Sequence, residues 1–218
     1  MVNALIDRGA DVNAPSTDPK YAKSTPLMAA SAFGRVEVMR VLLAAGAKVN
    51  GADAIGSTAF MAASEFGQVE AIRVLLAAGA QVNQARPDGV TALMWASQNG
   101  QVEAIRVLLA AGAQVNQARP DGTTALMIAS ELGHVEAIRV LLAAGAEVNQ
   151  ARPDGATALM IASQKGQVQA VKVLLAAGAD PRLVATNGAT ALSLAQHNKH
   201  LAVVSHLQAK LAELAGSG

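Results

Sequence analysis

The sequence predicts an all-α solenoid built from stacked helix–turn–helix units. A segment of 33 residues occurs three times in succession, over 81–113, 114–146 and 147–179, with few differences between the copies. Self-similarity at a fixed period of this length is typical of repeat proteins, in which each unit packs on its neighbours. Aromatic residues make up 2% of the chain, and the apolar content is mostly alanine, leucine and valine. This composition favours closely packed helices over a β-sandwich or barrel.

The period continues on both sides of the three copies. A threonine, a Leu-Leu pair and a glycine each recur at intervals of 33 residues. The threonines are Thr25, Thr58, Thr91, Thr124, Thr157 and Thr190. The pattern predicts a half-repeat cap with a long first hairpin over 1–22, full repeats over 23–55, 56–88, 89–121, 122–154 and 155–187, a capping repeat over 188–215 and a tail over 216–218. End units diverge in this way because their outer faces meet water.

Local signals within one repeat predict two helices and a hairpin loop. Thr91 directly precedes an Ala-Leu-Met segment, where the side chain of a helix N-cap is expected. The first helix is expected to stop at Gly100, a residue that suits a left-handed C-terminal cap. A second helix begins near Gln101, carries apolar residues at helical spacing and ends at Gly112. The following stretch, 113–122, is rich in turn-forming residues and predicts an extended hairpin.

These repeats resemble the ankyrin repeat over essentially the whole chain. In the third full repeat the matching residues are Gly89, Thr91, Leu93, Ala96, Gly100, Glu103, Leu108, Leu109, Gly112, Ala113, Val115 and Asn116. The resemblance implies an ankyrin-repeat solenoid with β-hairpin loops and a function in protein interaction. Three features depart from the family pattern. Methionine replaces the histidine of the Thr-Pro-Leu-His step, arginine replaces the first hairpin aspartate, and serine replaces the second alanine of the Ala-Ala pair.

Charge and composition argue against several classes of partner. The chain has 17 Lys and Arg against 16 Asp and Glu, so its formal net charge is +1. Binding to a nucleic acid backbone or an anionic membrane requires a basic excess or stripe, and the apolar runs are far shorter than a membrane span. The chain has no cysteine, and its first residues lack the pattern of a signal peptide. We therefore predict no nucleic acid or membrane partner, a cytoplasmic location and a monomer.

The sequence offers no arrangement of residues suited to catalysis. No nucleophile–base pair or phosphate-binding glycine loop can be assembled from it. Asp88, Asp121 and Asp154 repeat at one loop position and are explained as turn formers. His197 and His200 have the i, i+3 spacing of a helical metal pair, but no carboxylate or cysteine accompanies them at ligand spacing. We expect no enzymatic activity, no cofactor and no metal site.

An arginine recurs at the tip of each central hairpin. These residues are Arg86, Arg119 and Arg152, and each has an aspartate two positions later. Two interpretations stay open. The arginine and aspartate could pair within the hairpin, or the guanidinium groups could bind an acidic or phosphorylated partner.

Positions that differ between nearly identical copies indicate where specificity resides, because the scaffold leaves those positions free. They are Phe33, Glu65, Phe66, Trp95, Gln98, Asn99, Ile128, Glu131, Leu132 and Lys165. The resemblance implies that they line the concave groove and the hairpins, where partners of ankyrin-type proteins usually bind. We predict a protein or peptide partner with Phe33, Phe66 and Trp95 as anchors, because aromatic residues are enriched in binding hot spots. The alternative is half-buried packing between first helices, and Phe60 is expected in the core.

Two other functional hypotheses remain open. Nearly identical copies also suit a consensus-like or designed scaffold with no natural ligand, because consensus repeats are unusually designable. The chain could instead be the ankyrin fragment of a larger enzyme or membrane protein. The resemblance also implies a modification: Asn50, Asn83, Asn116 and Asn149 resemble residues that asparaginyl hydroxylases modify, although the residue two positions before each is not aspartate. Their simpler role is side-chain bonding to the backbone of the turn.

Overall fold

The computed structural model describes residues 6–17 and 24–216. These ranges contain twelve α-helices and four isolated antiparallel β-bridges. In chain order the helices are α1 (Pro26–Ala32), α2 (Val36–Ala44), α3 (Ala59–Glu65), α4 (Val69–Ala77), α5 (Ala92–Gln98), α6 (Val102–Ala110), α7 (Ala125–Leu132), α8 (Val135–Ala143), α9 (Ala158–Gln164), α10 (Val168–Ala176), α11 (Ala191–His197) and α12 (Leu201–Gly216). Odd-numbered helices are the first helices of the repeats and even-numbered helices are the second. The all-α repeat fold predicted from the sequence is confirmed.

Parts of the predicted end units lie outside the described residues. These parts are 1–5 and 18–23 of the half repeat and its long first hairpin, and 217–218 of the tail. The described part of the half repeat holds a turn in which the Gly9 amide donates to the Ile6 carbonyl at 2.8 Å. The Asn13 side chain then joins this turn to the next repeat, because its Oδ1 accepts from the Lys48 amide at 2.8 Å.

The first helices begin where the threonines predicted. The backbone of Thr91 is extended, and its hydroxyl accepts a hydrogen bond from the Met94 amide at 3.3 Å. This bond satisfies one of the amide groups that have no carbonyl partner inside the helix. Gly100 follows the helix with a φ of 62°, a left-handed conformation that glycine adopts without steric cost. The predicted N-cap and glycine stop are therefore both confirmed.

The second helices are held by burial, because none of those at 36–176 has a side-chain cap at its N-terminus. In α6 the buried residues Ala104, Ile105 and Leu108 lie on one face, and Glu103 and Arg106 are exposed. Apolar residues at this spacing form a stripe that packs on the neighbouring helices. Most of the stability of such short helices comes from this packing, since isolated helices of this length are marginal in water.

The loops form narrow hairpins, as predicted. Ala85 and Thr91 make an antiparallel bridge, and the Arg86 amide donates to the Val90 carbonyl at 2.9 Å. Gly89 closes the turn with a φ of 82°. Equivalent bridges occur at Ala52–Thr58, Ala118–Thr124 and Ala151–Thr157.

The chain divides into two compact halves, residues 1–114 and 115–218. In the N-terminal half the first helices α1, α3 and α5 pack side by side, and the second helices α2, α4 and α6 form a parallel row. In the C-terminal half α7, α9 and α11 form the first row, and α8, α10 and α12 form the second. Each core lies between its two rows, and Phe60, which is 2% exposed, belongs to it as expected.

Asparagine side chains join successive repeats within each half. Asn83 donates to the Gly112 carbonyl at 3.0 Å and accepts from the Gln114 amide at 2.8 Å. Asn149 makes the same two bonds, to Gly178 at 3.2 Å and from Asp180 at 2.9 Å. The expected bonding to backbone is present, but its partners lie in the next repeat. Because both atoms of the amide are engaged, these residues align adjacent repeats.

Candidate binding surface

Two phenylalanines lie at equivalent exposed positions in the N-terminal half. Phe33 directly follows α1 and Phe66 directly follows α3, and the two residues have nearly the same backbone angles. Their exposed fractions are 65% and 54%. Because α1 and α3 pack side by side, both rings lie at the same edge of the first-helix row. We call the residues Phe33, Glu65, Phe66, Trp95 and Asn99 the first-helix surface.

An apolar groove of about 400 Å³ adjoins Phe33. Its walls come from the half repeat, through Ile6 and Val12, and from α1 and α2, through Pro26 and Leu42. The groove was not predicted from the sequence. No local sequence signal marks it, because its walls come from separate elements of the chain.

The single tryptophan packs against a hairpin arginine. The guanidinium carbon of Arg86 lies 5.9 Å from the centroid of the half-buried Trp95 ring. Arg86 Nη2 also donates to Asp88 Oδ2 at 3.0 Å, and the Arg86 side chain is only 17% exposed. The guanidinium is thus held by a neighbouring carboxylate and an aromatic face, an arrangement typical of a cation–π contact. Trp95 is neither free nor fully buried.

Glu65, the last residue of α3, is half-buried beside this cluster. Burial raises the pKa of its carboxyl, and the nearby charge of Arg86 lowers it by a smaller amount. No lysine or arginine of the described residues forms an ion pair with this carboxylate. The Glu65 backbone carbonyl accepts from the Gln101 side chain at 3.3 Å, so the end of α3 is fixed. Among the described residues this carboxylate therefore has no ion-pair partner, and Arg86 acts on it only through its nearby charge.

The remaining predicted residues of this half, Gln98 and Asn99, are exposed at the end of α5. The Asn99 side chain donates to the Trp95 carbonyl at 3.0 Å. This bond caps the helix and turns the amide back toward its own backbone.

The predicted binding residues of the C-terminal half are more engaged in contacts within the protein. Leu132 and Glu131 are exposed at the end of α7, and Ile128 is half-buried. Lys165, which follows α9, places its Nζ 3.0 Å from Glu131 Oε1. Ile161 is half-buried like Ile128, so the isoleucines of this half are partly engaged in packing.

The hairpin arginines of the C-terminal half pair with their own aspartates. Arg152 Nη2 lies 3.0 Å from Asp154, and Arg119 Nη2 lies 3.7 Å from Asp121. Burial would raise the pKa of Asp121, but hydrogen bonds from Thr123 and the charges of Arg119 and Arg152 outweigh it and lower that pKa. The geometry is that of pairing within the hairpin. Binding of an acidic partner by these arginines stays a prediction.

Within residues 6–17 and 24–216, no three His, Cys, Asp or Glu side chains are grouped so that they could hold a metal ion. His200, one of the histidines considered above, places Nε2 3.0 Å from the Gln164 carbonyl, so this ring links two repeats. None of the helices in the described ranges has the length and apolar character that crossing a membrane requires.

Comparison with known families agrees with this architecture. A family model described as ankyrin repeats matches three stretches of the chain, residues 1–86, 78–152 and 144–214. The chain belongs to the ankyrin-repeat family. No individual curated protein matches it. Ankyrin repeats are generally protein–protein interaction modules, and the family is typically non-catalytic.

Proposed function

We propose that this ankyrin-repeat protein binds a peptide or protein segment on the first-helix surface of its N-terminal half. The observation that carries the proposal is the exposure of Phe33 and Phe66, at 65% and 54%, in a chain with 2% aromatic residues. A contiguous exposed apolar patch is typical of an interaction site, and Phe33 also adjoins the apolar groove. The two phenylalanines are also well suited to anchor a partner, because hot spots are enriched in aromatic residues.

The groove beside Phe33 supports the same location. Its walls are almost entirely apolar, and about 400 Å³ accommodates a large aliphatic or aromatic side chain of a partner. Glu65, Gln98 and Asn99 would add polar contacts at the rim. Ile128, Glu131, Leu132 and Lys165 form the corresponding set of the C-terminal half, where the Glu131–Lys165 pair already neutralises both charges.

The hairpin arginines contribute less in this proposal. Because Arg86 and Arg152 each lie 3.0 Å from an aspartate, an acidic partner would have to compete with a preformed pair. The cytoplasmic location and monomeric state also stay predictions. Light scattering on the purified chain would measure the oligomeric state directly.

Panning a phage-displayed library of random peptides on the immobilised protein tests the proposal. Dissociation constants of the selected peptides are then measured for the wild type and for Phe33→Ala/Phe66→Ala. Loss of two aromatic anchors is expected to weaken binding by at least about thirtyfold, since a hot spot contributes about 2 kcal/mol or more. The matched control is Arg40→Ala/Arg73→Ala, which changes two exposed residues of the second helices.

Circular dichroism on each variant separates loss of binding from loss of fold. If no selected peptide depends on the phenylalanines, the proposal is contradicted. That result would favour a scaffold without a ligand, or an ankyrin fragment whose activity belongs to a larger enzyme or membrane protein.

A further inference from the structure

We infer that the partner presents a lysine or arginine side chain to Glu65, next to the apolar residues that contact Phe33 and Phe66. This inference rests on the proposed function and adds the chemistry of the ligand. It concerns the class of peptide that the first-helix surface selects.

The Glu65 carboxylate forms no ion pair with any of the described residues. Its helix end is fixed by the hydrogen bond from Gln101, and the side chain is half-buried. Arg86 is the charged group near it, but the Arg86 guanidinium is already bound to Asp88 and packed on Trp95. A carboxylate removed in part from water gains most from a cation that brings its own hydrogen bonds.

The same position in the C-terminal half has a different environment. Glu131 lies two repeats after Glu65, at the equivalent place, and pairs with Lys165 at 3.0 Å. Lys165 lies 34 residues after Glu131, and the residue 34 positions after Glu65 is Asn99. Asn99 is neutral, and its amide is bonded to the Trp95 carbonyl. The described residues thus supply an ammonium to Glu131 and none to Glu65.

The surroundings of Glu65 also suit a cation. At the equivalent positions of the neighbouring repeats stand Ala32 and Gln98, which carry no charge. Phe66 is exposed next to Glu65, and an aromatic face attracts an ammonium or guanidinium group. The burial that raises the pKa of Glu65 is consistent with a carboxylate that gains from a cationic neighbour. A basic residue flanked by large apolar residues matches both features of the surface.

The test uses the same peptide library and two variants that remove the free carboxylate in different ways. Glu65→Gln removes its charge, and Asn99→Lys is designed to recreate the Glu131–Lys165 pair and occupy Glu65 from within the chain. Peptides selected on the wild type are synthesised with lysine, or with norleucine in its place, and their dissociation constants are compared. Glu70→Gln is the matched control, because Glu70 is an exposed carboxylate on a second helix, 3.4 Å from Arg73.

We expect the selected peptides to be enriched in lysine or arginine. Replacing lysine by norleucine should weaken binding about tenfold for the wild type and for Glu70→Gln, as expected for one charge-assisted hydrogen bond. The same replacement should change binding less than about twofold for Glu65→Gln and Asn99→Lys.

Equal effects of the norleucine replacement in all four proteins would overturn the inference. So would peptides that need Phe33 and Phe66 but contain no basic residue, and this result would leave the proposed function standing. Selected peptides that bind Phe33→Ala/Phe66→Ala as tightly as the wild type would instead contradict the proposed function itself. Circular dichroism on both Glu65→Gln and Asn99→Lys checks that each variant is folded.

Discussion

The guanidinium carbon of Arg86 lies 5.9 Å from the centroid of the Trp95 ring, and no other hairpin arginine faces a tryptophan because Trp95 is the only one in the chain. This contact ties the tip of a hairpin to α5, the first helix of the repeat that follows. It distinguishes Arg86 from Arg119, which has only its own aspartate as a charged partner within the hairpin. The two arginines therefore form a matched pair for experiment.

Arg86→Ala is expected to lower the free energy of unfolding by about 1 kcal/mol more than Arg119→Ala, because only Arg86 makes a cation–π contact. A double-mutant cycle with Trp95→Leu should give a coupling free energy of about 0.5–1 kcal/mol between Arg86 and Trp95. Urea denaturation of the four proteins measures it. If both arginine variants lose the same unfolding free energy and the cycle shows no coupling, the contact does not contribute to stability.

Buried serines at equivalent positions differ in their hydrogen bonds. Ser64 Oγ donates to the Phe60 carbonyl at 2.7 Å, whereas Ser97 Oγ is buried and has no partner. Ser97→Ala should therefore leave stability unchanged or raise it by up to about 1 kcal/mol, because it removes an unsatisfied hydroxyl. Ser64→Ala should cost about 0.5–1 kcal/mol. Chemical denaturation measures the free energy of unfolding of both variants. The opposite order of stabilities would contradict the hydrogen-bond assignment.

Asn83 joins two repeats through both atoms of its side-chain amide. Asn83→Ala should lower the free energy of unfolding by about 1–2 kcal/mol, since each hydrogen bond contributes about 1 kcal/mol net. Gln81→Ala is the control, because the Gln81 side chain is exposed. Thermal or urea unfolding gives both values. A cost for Asn83→Ala no larger than that of the control would mean that these bonds do not align the repeats.

The helical frame of the repeat could be predicted from local chemistry. The position of Thr91 before an apolar segment and that of Gly100 after it depend only on nearby residues, so the sequence indicates where the helix begins and ends. Phe60 was expected in the core because it occupies a position that other repeats fill with leucine.

The details of the candidate surface depend on contacts between neighbouring repeats, so they were harder to predict from the sequence. The groove beside Phe33 is lined by the half repeat, α1 and α2 together, so it becomes visible only once these elements are packed. The different environments of Glu65 and Glu131 depend on residues 34 positions away, Asn99 and Lys165. Residues at that spacing are recognised as neighbours only when the helices are known to stack side by side.

Ionisation of Glu65 should reduce stability. Burial raises the folded-state pKa of this carboxyl, and the charge of Arg86 opposes the shift only in part. The ionised form is therefore disfavoured in the folded protein at pH values above that pKa, and the penalty vanishes below the unfolded-state pKa, where both states are protonated. Glu65→Gln should be at least as stable as the wild type at neutral pH, and the difference should shrink as the pH falls between the two pKa values.

Urea denaturation of both proteins at neutral pH and near pH 4 checks this sign, because an unperturbed glutamate titrates at about that pH. A difference in stability that grows as the pH falls would contradict the account of Glu65. Because the side chain is only half-buried, we expect the effect to be small.

The most direct test of the central claim is to map a selected peptide on the isotope-labelled protein by two-dimensional NMR. The account predicts that the largest shifts fall on the amides of Phe33, Phe66 and Asn99 and on the indole of Trp95. Shifts confined to the second helices, such as Val36–Ala44 and Val69–Ala77, would place the binding site elsewhere and contradict it.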